Sequence, residues 1–254
     1  MNEMRPKLRR VQVSHGQQHG QPMLMLSDPW GLSDCAVVLP ASLGLVLELC
    51  DGTRDISALR VVLEVKAGLR VGPGYLEKMF EALDGALLLD NEHFARAYDD
   101  AVAKFRSAPT RSPCMAGKVY PSDPNMLELT LGQDFDGLAI GKGNEPEIGE
   151  VRGLISPHID YQRGGPVYSQ VWKRAAQAAQ ASEVVIILGT NHFDGQKLVT
   201  LTRQNYSTPW GVLTTASDVV DAVASALGDV DVFAEEFNHR SEHSVEAAAI
   251  WLHY

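Results

Sequence analysis

Two apolar runs separated by one helical stretch constrain this chain more than any other feature. The first is Gly153-Leu154-Ile155, followed by Ser156-Pro157-His158. The second is Val184-Val185-Ile186-Ile187-Leu188, followed by Gly189-Thr190-Asn191-His192. Short runs rich in β-branched residues read as strands. The amphipathic stretch between them, residues 166–181, reads as a helix burying Val167, Val171, Trp172, Ala175 and Ala179. A strand–helix–strand unit almost always crosses over right-handedly with its strands parallel. Both imidazoles then emerge at the carboxyl edge of one sheet, where open α/β folds bind ligands. The expectation is an α/β domain with a metal or catalytic site on His158 and His192.

The text after the second run continues the pattern. Lys197 to Thr202 and Val230 to Ala234 are predicted strands, and Ser217 to Leu227 a helix. A last helix starts near Ser244, with Val245, Ala248, Ala249 and Leu252 on one side. Residues 35–95 read differently, as a small helical module. Ala41 to Cys50 is a predicted helix ended by Asp51-Gly52. A second, capped by Asp55 or Ser57, holds Leu59, Val62 and Leu63. A third, Gly74 to Gly85, has Tyr75, Met79, Phe80 and Leu83 on one face, and Ala86 to Leu89 follows as a short strand. Three helices and a β-element give the order of a winged helix. Ser107, Pro109, Ser112 and Pro113 mark a linker, and Gly137 to Glu150 an exposed loop. The predicted division is an N-terminal segment with a hairpin (1–34), a winged-helix domain (35–95), a linker (96–111) and an α/β domain (112–254).

With 32 acidic against 22 basic residues the net charge is -10, which argues against a sequence-independent grip on nucleic acid. Lys7, Arg9 and Arg10 are followed by polar residues, not by the apolar core of a signal peptide, and no run is long enough to span a bilayer. Cys35, Cys50 and Cys114 form no pairing framework and read as small buried hydrophobes in a reducing cytoplasm.

A neutral imidazole at a strand end is a good metal ligand when its other nitrogen is held by a carboxylate. Asp160 beside His158, and Asp194 beside His192, are candidates for that partner. A third group is His239-Arg240-Ser241-Glu242-His243-Ser244-Val245-Glu246. Ser241 or Ser244 can cap the last helix there, and Glu242 or Glu246 suits its positive end. His243 is placed in the site as acid or base, or as an alternative nitrogen ligand, and His239 in solvent. A carboxylate completing a facial triad would come from Asp160, Asp194, Glu242 or Glu246. No P-loop, GxGxxG or GxSxG motif offers a competing chemistry.

Two resemblances extend this reading. Pro22-Met23-Leu24-Met25-Leu26, then Leu47-Glu48-Leu49-Cys50-Asp51-Gly52-Thr53-Arg54-Asp55-Ile56, and Leu87-Leu88-Leu89 resemble a PqqD-type domain. That implies a peptide-binding or docking module. Ala116-Gly117-Lys118-Val119-Tyr120-Pro121-Ser122-Asp123-Pro124, Pro157-His158-Ile159-Asp160-Tyr161, Leu188-Gly189-Thr190-Asn191-His192, Thr208-Pro209-Trp210-Gly211 and Glu242-His243-Ser244-Val245-Glu246 occur in the order seen in the Memo family. Its bacterial members are called AmmeMemoRadiSam system protein B. The resemblance implies a mostly parallel LigB-like sheet with flanking helices, related to class III extradiol dioxygenases. It implies His158 and His192 as metal ligands, with iron(II) foremost and copper or zinc as alternatives, and His243 bordering the same pocket. Partners implied are a radical SAM protein and an AMMECR-type protein. Family members run further than this chain, so the domain is expected to be incomplete at its C-terminus. A redox-active metal site is the first functional expectation, a non-catalytic peptide- or partner-binding adaptor the second, and an inactive fragment the third.

Overall fold

The computed structural model describes residues 4–137, 151–193, 195 and 197–254. The chain divides into two compact units, Met1–Lys104 and Phe105–Tyr254.

The N-terminal unit opens with an antiparallel hairpin, β1 (Gln12–Gln18) and β2 (Gln21–Ser27). Its two-residue turn, His19-Gly20, has φ of 50° and 78°, the doubly positive pattern of a tight hairpin. β3 (Val37–Pro40) pairs antiparallel along the other side of β2. Alternation sends Leu24 and Leu26 inward and leaves Met25 exposed. A 3-10 turn, Ala41–Leu43, leads into α1 (Gly44–Glu48), shorter than the predicted helix. α2 (Ile56–Ala67) starts where Asp55 accepts a hydrogen bond from the Ala58 N–H and stops at Gly68, whose φ is 62°. α3 (Tyr75–Gly85) buries Leu76, Met79, Phe80 and Leu83, while Tyr75 is exposed. These side chains form one core with Leu26, Leu43, Val46, Leu59, Leu63 and Leu88. The three expected helices are present. The closing strand is not: Leu88 and Leu89 are buried, but Leu89 makes only an isolated bridge to Leu8. α4 (Glu92–Ser107) carries the chain out of this unit.

The second unit contains α5 (Pro124–Gly137), α6 (Tyr161–Ala181), α7 (Ser217–Ala226) and α8 (His243–His253), with a 3-10 turn at Glu236–Arg240. Thr208-Pro209-Trp210-Gly211 makes the turn of a small hairpin, β4 (Tyr206–Thr208) with β5 (Gly211–Leu213). Asp160 caps α6 by accepting from the Arg163 N–H at 3.0 Å. That helix buries Tyr161, Tyr168, Trp172 and Ala175 and exposes Val167, so its inner face is rotated from the predicted one. Tyr168 stacks on Trp251 of α8, with ring centroids 5.7 Å apart and planes 5° from parallel. Tyr120, Leu127, Leu131 and Ile250 complete the core.

The architecture is therefore mixed α/β, but the sheets among the described residues are antiparallel and small. The predicted strands at residues 153–155, 184–188, 197–202 and 230–234 belong to no described ladder. In the first three of them the largest apolar side chains face solvent, Ile155 being 94%, Leu188 92% and Leu198 99% exposed, whereas Val232 in the fourth is buried. β-propensity describes how a residue fits a half-buried pleated surface, and it cannot make a strand without a neighbour to pair. Of the predicted loop Gly137 to Glu150, Gly137 ends α5 and residues 138–150 lie outside the described residues, as does Asp194. Among the described residues no helix is long and apolar enough to cross a membrane. Of the cysteines, Cys50 is buried as expected, and burial, helped by Asp51, pushes its thiol up to about 12. Cys114 is half-buried, but Cys35 is exposed, contrary to the reading of all three as core residues.

Candidate metal centre

Three histidines from three separate stretches meet in the second unit. His158 lies two residues before the cap of α6, in a segment held at several points. The Trp172 Nε1–H donates to Ser156 Oγ at 3.2 Å, and the Tyr168 hydroxyl donates to the Ile159 carbonyl at 3.1 Å. His243 is the first residue of α8. α6 and α8 are joined directly, since the Tyr161 hydroxyl donates to the Ala247 carbonyl at 3.0 Å. His158 and His243 thus stand at the N-terminal ends of two packed helices, not at the ends of parallel strands.

His192 is brought in by the residues flanking His243. Glu242, the N-cap of α8, is buried and accepts from the Ser244 N–H at 2.8 Å and the His192 N–H at 3.0 Å. The same carboxylate lies 2.9 Å from His192 Nδ1. Ser244 Oγ accepts from the Thr190 N–H at 2.9 Å and donates to the Thr190 carbonyl at 3.1 Å. Two consecutive contacts therefore tie the Thr190–His192 segment to the start of α8. The approach is close enough to require a glycine: a Cβ on Gly189 would lie 2.6 Å from Ser244 Oγ and 2.5 Å from Val245 Cγ2.

One ring nitrogen from each of His158, His192 and His243 lies within 4.8 Å of the other two. The rings of His192 and His243 stack with centroids 4.3 Å apart, and His158 is 5.2 Å and 5.8 Å from them. Modest ring rotation brings such nitrogens to the roughly 2.1 Å bonds that a transition metal or zinc forms with imidazole. With His192 Nδ1–H donating to Glu242, the Nε2 lone pair is left free, the usual carboxylate–histidine arrangement around a metal. Burial opposes charge on Glu242, but the hydrogen bonds from His192 and Ser244 outweigh it and hold the carboxyl below the ordinary range. On His243, burial and the neighbouring imidazoles lower the pKa against the pull of Glu242, which favours the neutral ligand form.

A cavity of about 310 Å³ opens beside His158 and His243. Its walls include Met115, Val119, Tyr120, Ile159 and Ala247, so it is apolar apart from its histidine end and the Asp160–Arg163 pair.

The other sequence candidates fall elsewhere. Asp160 is committed to its helix cap and to Arg163 Nε at 2.6 Å, not to His158. Glu246 is buried away from the histidines, paired with Arg111. Neither Asp160, Glu242 nor Glu246 joins the histidine cluster as a ligand among the described residues. His239 is not solvated: its Nδ1 is 2.9 Å from the Tyr206 hydroxyl and its Nε2 3.2 Å from the Thr200 carbonyl. The roles missed in the sequence were the cap of Glu242 and the tether of Ser244. Their signal was the tripeptide Glu242-His243-Ser244 itself, whose three side chains serve one site.

A family model described as Memo-like protein matches residues 111–254, more than half of the chain. The chain belongs to the Memo-like family. A MEMO1 family protein of Aquifex aeolicus is 28% identical over 251 residues, covering 99% of this chain and 63% of the relative. One from Methanopyrus kandleri is 34% identical over 151 residues, 57% of this chain and 51% of the relative. One from Methanosarcina barkeri is 30% identical over 144 residues, 57% of this chain and 49% of the relative. The chain thus spans roughly half to two-thirds of the length of these relatives. No solved structure matches. All three histidines, with Glu242 and Ser244, lie inside the Memo-like segment.

Proposed function

We propose that the Memo-like unit binds one divalent metal ion through His158, His192 and His243, with iron(II) first and copper or zinc next. The observation that carries this is the mutual approach of the three ring nitrogens, one of them oriented by a buried carboxylate. Three neutral imidazoles suit borderline metals, whereas magnesium and calcium prefer oxygen ligands. Such a metal, when bound, would supply Lewis acidity and redox chemistry toward an oxygen-bearing ligand.

The chain's own residues do the rest. Glu242 fixes the tautomer and ring direction of His192 and holds its backbone N–H, and Ser244 holds the backbone of Thr190 two residues before it. The apolar cavity walls beside His158 and His243 favour a ligand with a small apolar body. His243 has an alternative role because it lines the cavity as well as the cluster: left uncoordinated, its neutral imidazole can take a proton from a ligand bound there.

Elemental analysis and titration of the full chain test the reading. One metal per chain is expected, lost in His158→Ala and His192→Ala, and weakened about 10–100-fold in Glu242→Gln. A wild-type chain that takes up no iron, copper or zinc, or a His158→Ala chain that keeps its metal, overturns it. His243→Gln separates the two roles of that residue: loss of metal assigns it as a ligand, and retained metal leaves it the acid–base role.

A further inference from the structure

We infer that Arg111 and Glu246 form a two-sided clamp that positions His243 and the adjoining cavity wall. The inference rests on the metal reading for its purpose, but not for its geometry.

Glu246 sits in the first turn of α8, three residues after His243, and is 1% exposed. Its carboxylate accepts from the Cys114 N–H and the Met115 N–H, both at 2.9 Å, and from the Tyr120 hydroxyl at 2.5 Å. It also takes the Cys114 thiol at 3.1 Å and pairs with Arg111 Nη1. Every one of these donors belongs to residues 111–120, the stretch that supplies Met115, Val119 and Tyr120 to the cavity.

Arg111, also 1% exposed, grips the other side of His243. Its Nε–H donates to the His239 carbonyl at 2.9 Å and its Nη2–H to the Glu242 carbonyl at 2.8 Å. The backbone just before His243 is thus held by the guanidinium, and the helix turn just after it by the carboxylate. Arg111 is itself pinned, its N–H donating to the Asn205 carbonyl at 2.7 Å.

Burying two charges costs several kcal/mol per ion before their attraction is counted, and well-packed apolar residues often stabilise as much. What apolar residues lack is direction. Here the directed bonds converge on one turn, which points to the geometry of His243 as the role of the pair. Arg111 and Glu246 are accordingly positioning residues, not ligands.

The test uses the full chain with Glu246→Gln, Arg111→Lys and Tyr120→Phe. Cobalt(II) affinity and the cobalt visible spectrum are read beside the thermal transition. In metal-free protein the ring-proton NMR resonance of His243, assigned with His243→Gln, is followed as well. Glu246→Gln and Arg111→Lys are expected to fold, to bind cobalt at least tenfold more weakly, and to shift the His243 resonance. Tyr120→Phe leaves the ion pair intact and carries the test if the first two do not fold; a smaller loss and a smaller shift are expected. Folded variants with the wild-type His243 resonance overturn the clamp, whatever the metal does. A wild-type chain that binds no metal overturns the metal reading alone, and the resonance still decides the clamp.

Discussion

In the N-terminal unit, alternating residues of β2 do what their pattern predicts: Leu24 and Leu26 enter the core, and α2 and α3 add Leu59, Leu63, Phe80 and Leu83. In the Memo-like unit the most strand-like residues, Ile155, Ile186, Leu188 and Leu198, lie in solvent, while Arg111 and Glu246 are buried. Among the described residues, each unit buries an arginine–carboxylate pair. Arg9–Asp28 fastens a loop: Asp28 accepts from the Trp30 and Leu32 N–H groups, and the Arg9 guanidinium lies 4.4 Å from the Phe94 ring. Arg111–Glu246 instead converges on the turn that carries His243. Apolar pattern predicts burial where the complementary surface is already in place, as β2 finds in the helices beside it. Where that surface is lacking among the described residues, the same pattern is left on the outside, and polar groups with distant partners do the organising.

The sharpest way to break the comparison is to remove one half of the polar clamp. Arg111→Ala strands a buried carboxylate and is expected to destabilise the Memo-like unit by about 3–5 kcal/mol. Denaturant unfolding followed by hydrogen exchange would localise the loss, and an effect spread equally over both units would contradict the contrast. Next in size is Leu83→Ala, a cavity at the centre of the N-terminal core, expected to cost about 2–5 kcal/mol there and nothing in the Memo-like unit.

Acid should then separate the units. Burial raises the Glu246 pKa, but Arg111 and the Tyr120 hydrogen bond lower it further, and the net direction is down. A depressed carboxylate contributes stability that is complete above its unfolded value of about 4.3 and disappears as pH falls through the lower folded value. As pH falls below about 4.3, stability of the Memo-like unit should therefore fall more steeply in wild type than in Glu246→Gln. Parallel curves would show that the carboxylate has no such linkage.

The smallest effect is the most telling about the exposed apolar stretch. Leu188→Ser and Leu198→Ser should change stability by no more than about 0.5 kcal/mol, the range of surface substitutions. Removing exposed apolar area should at the same time lower self-association, read by light scattering. A loss of several kcal/mol would mean that these side chains are buried in solution and that the expected sheet is present.

α2 and α3 were legible because their signals are local. α4, which runs through the predicted linker, and α5 were not, and the hairpin was expected only from the PqqD resemblance. Asp55 caps α2 within three residues, Gly68 ends it, and the His19-Gly20 turn sets the hairpin register. The histidine pair was legible too, since metal chemistry favours imidazole wherever it is placed. The parallel sheet is not present among the described residues, because an apolar run becomes a strand only where a neighbour pairs with it, and a linear pattern does not show that neighbour.

Residue order alone determined where α2, α3 and α7 form and which three histidines were available to a site. Only tertiary structure decided that His158, His192 and His243 meet, that Glu242 orients one of them, and that Glu246 is buried and not exposed. Those contacts join residues 50 to 135 positions apart. A carboxylate becomes a structural anchor or a solvated charge according to the donors that surround it. In Glu246 those donors come from the far side of the unit's sequence, and folding alone brings them within hydrogen-bond range.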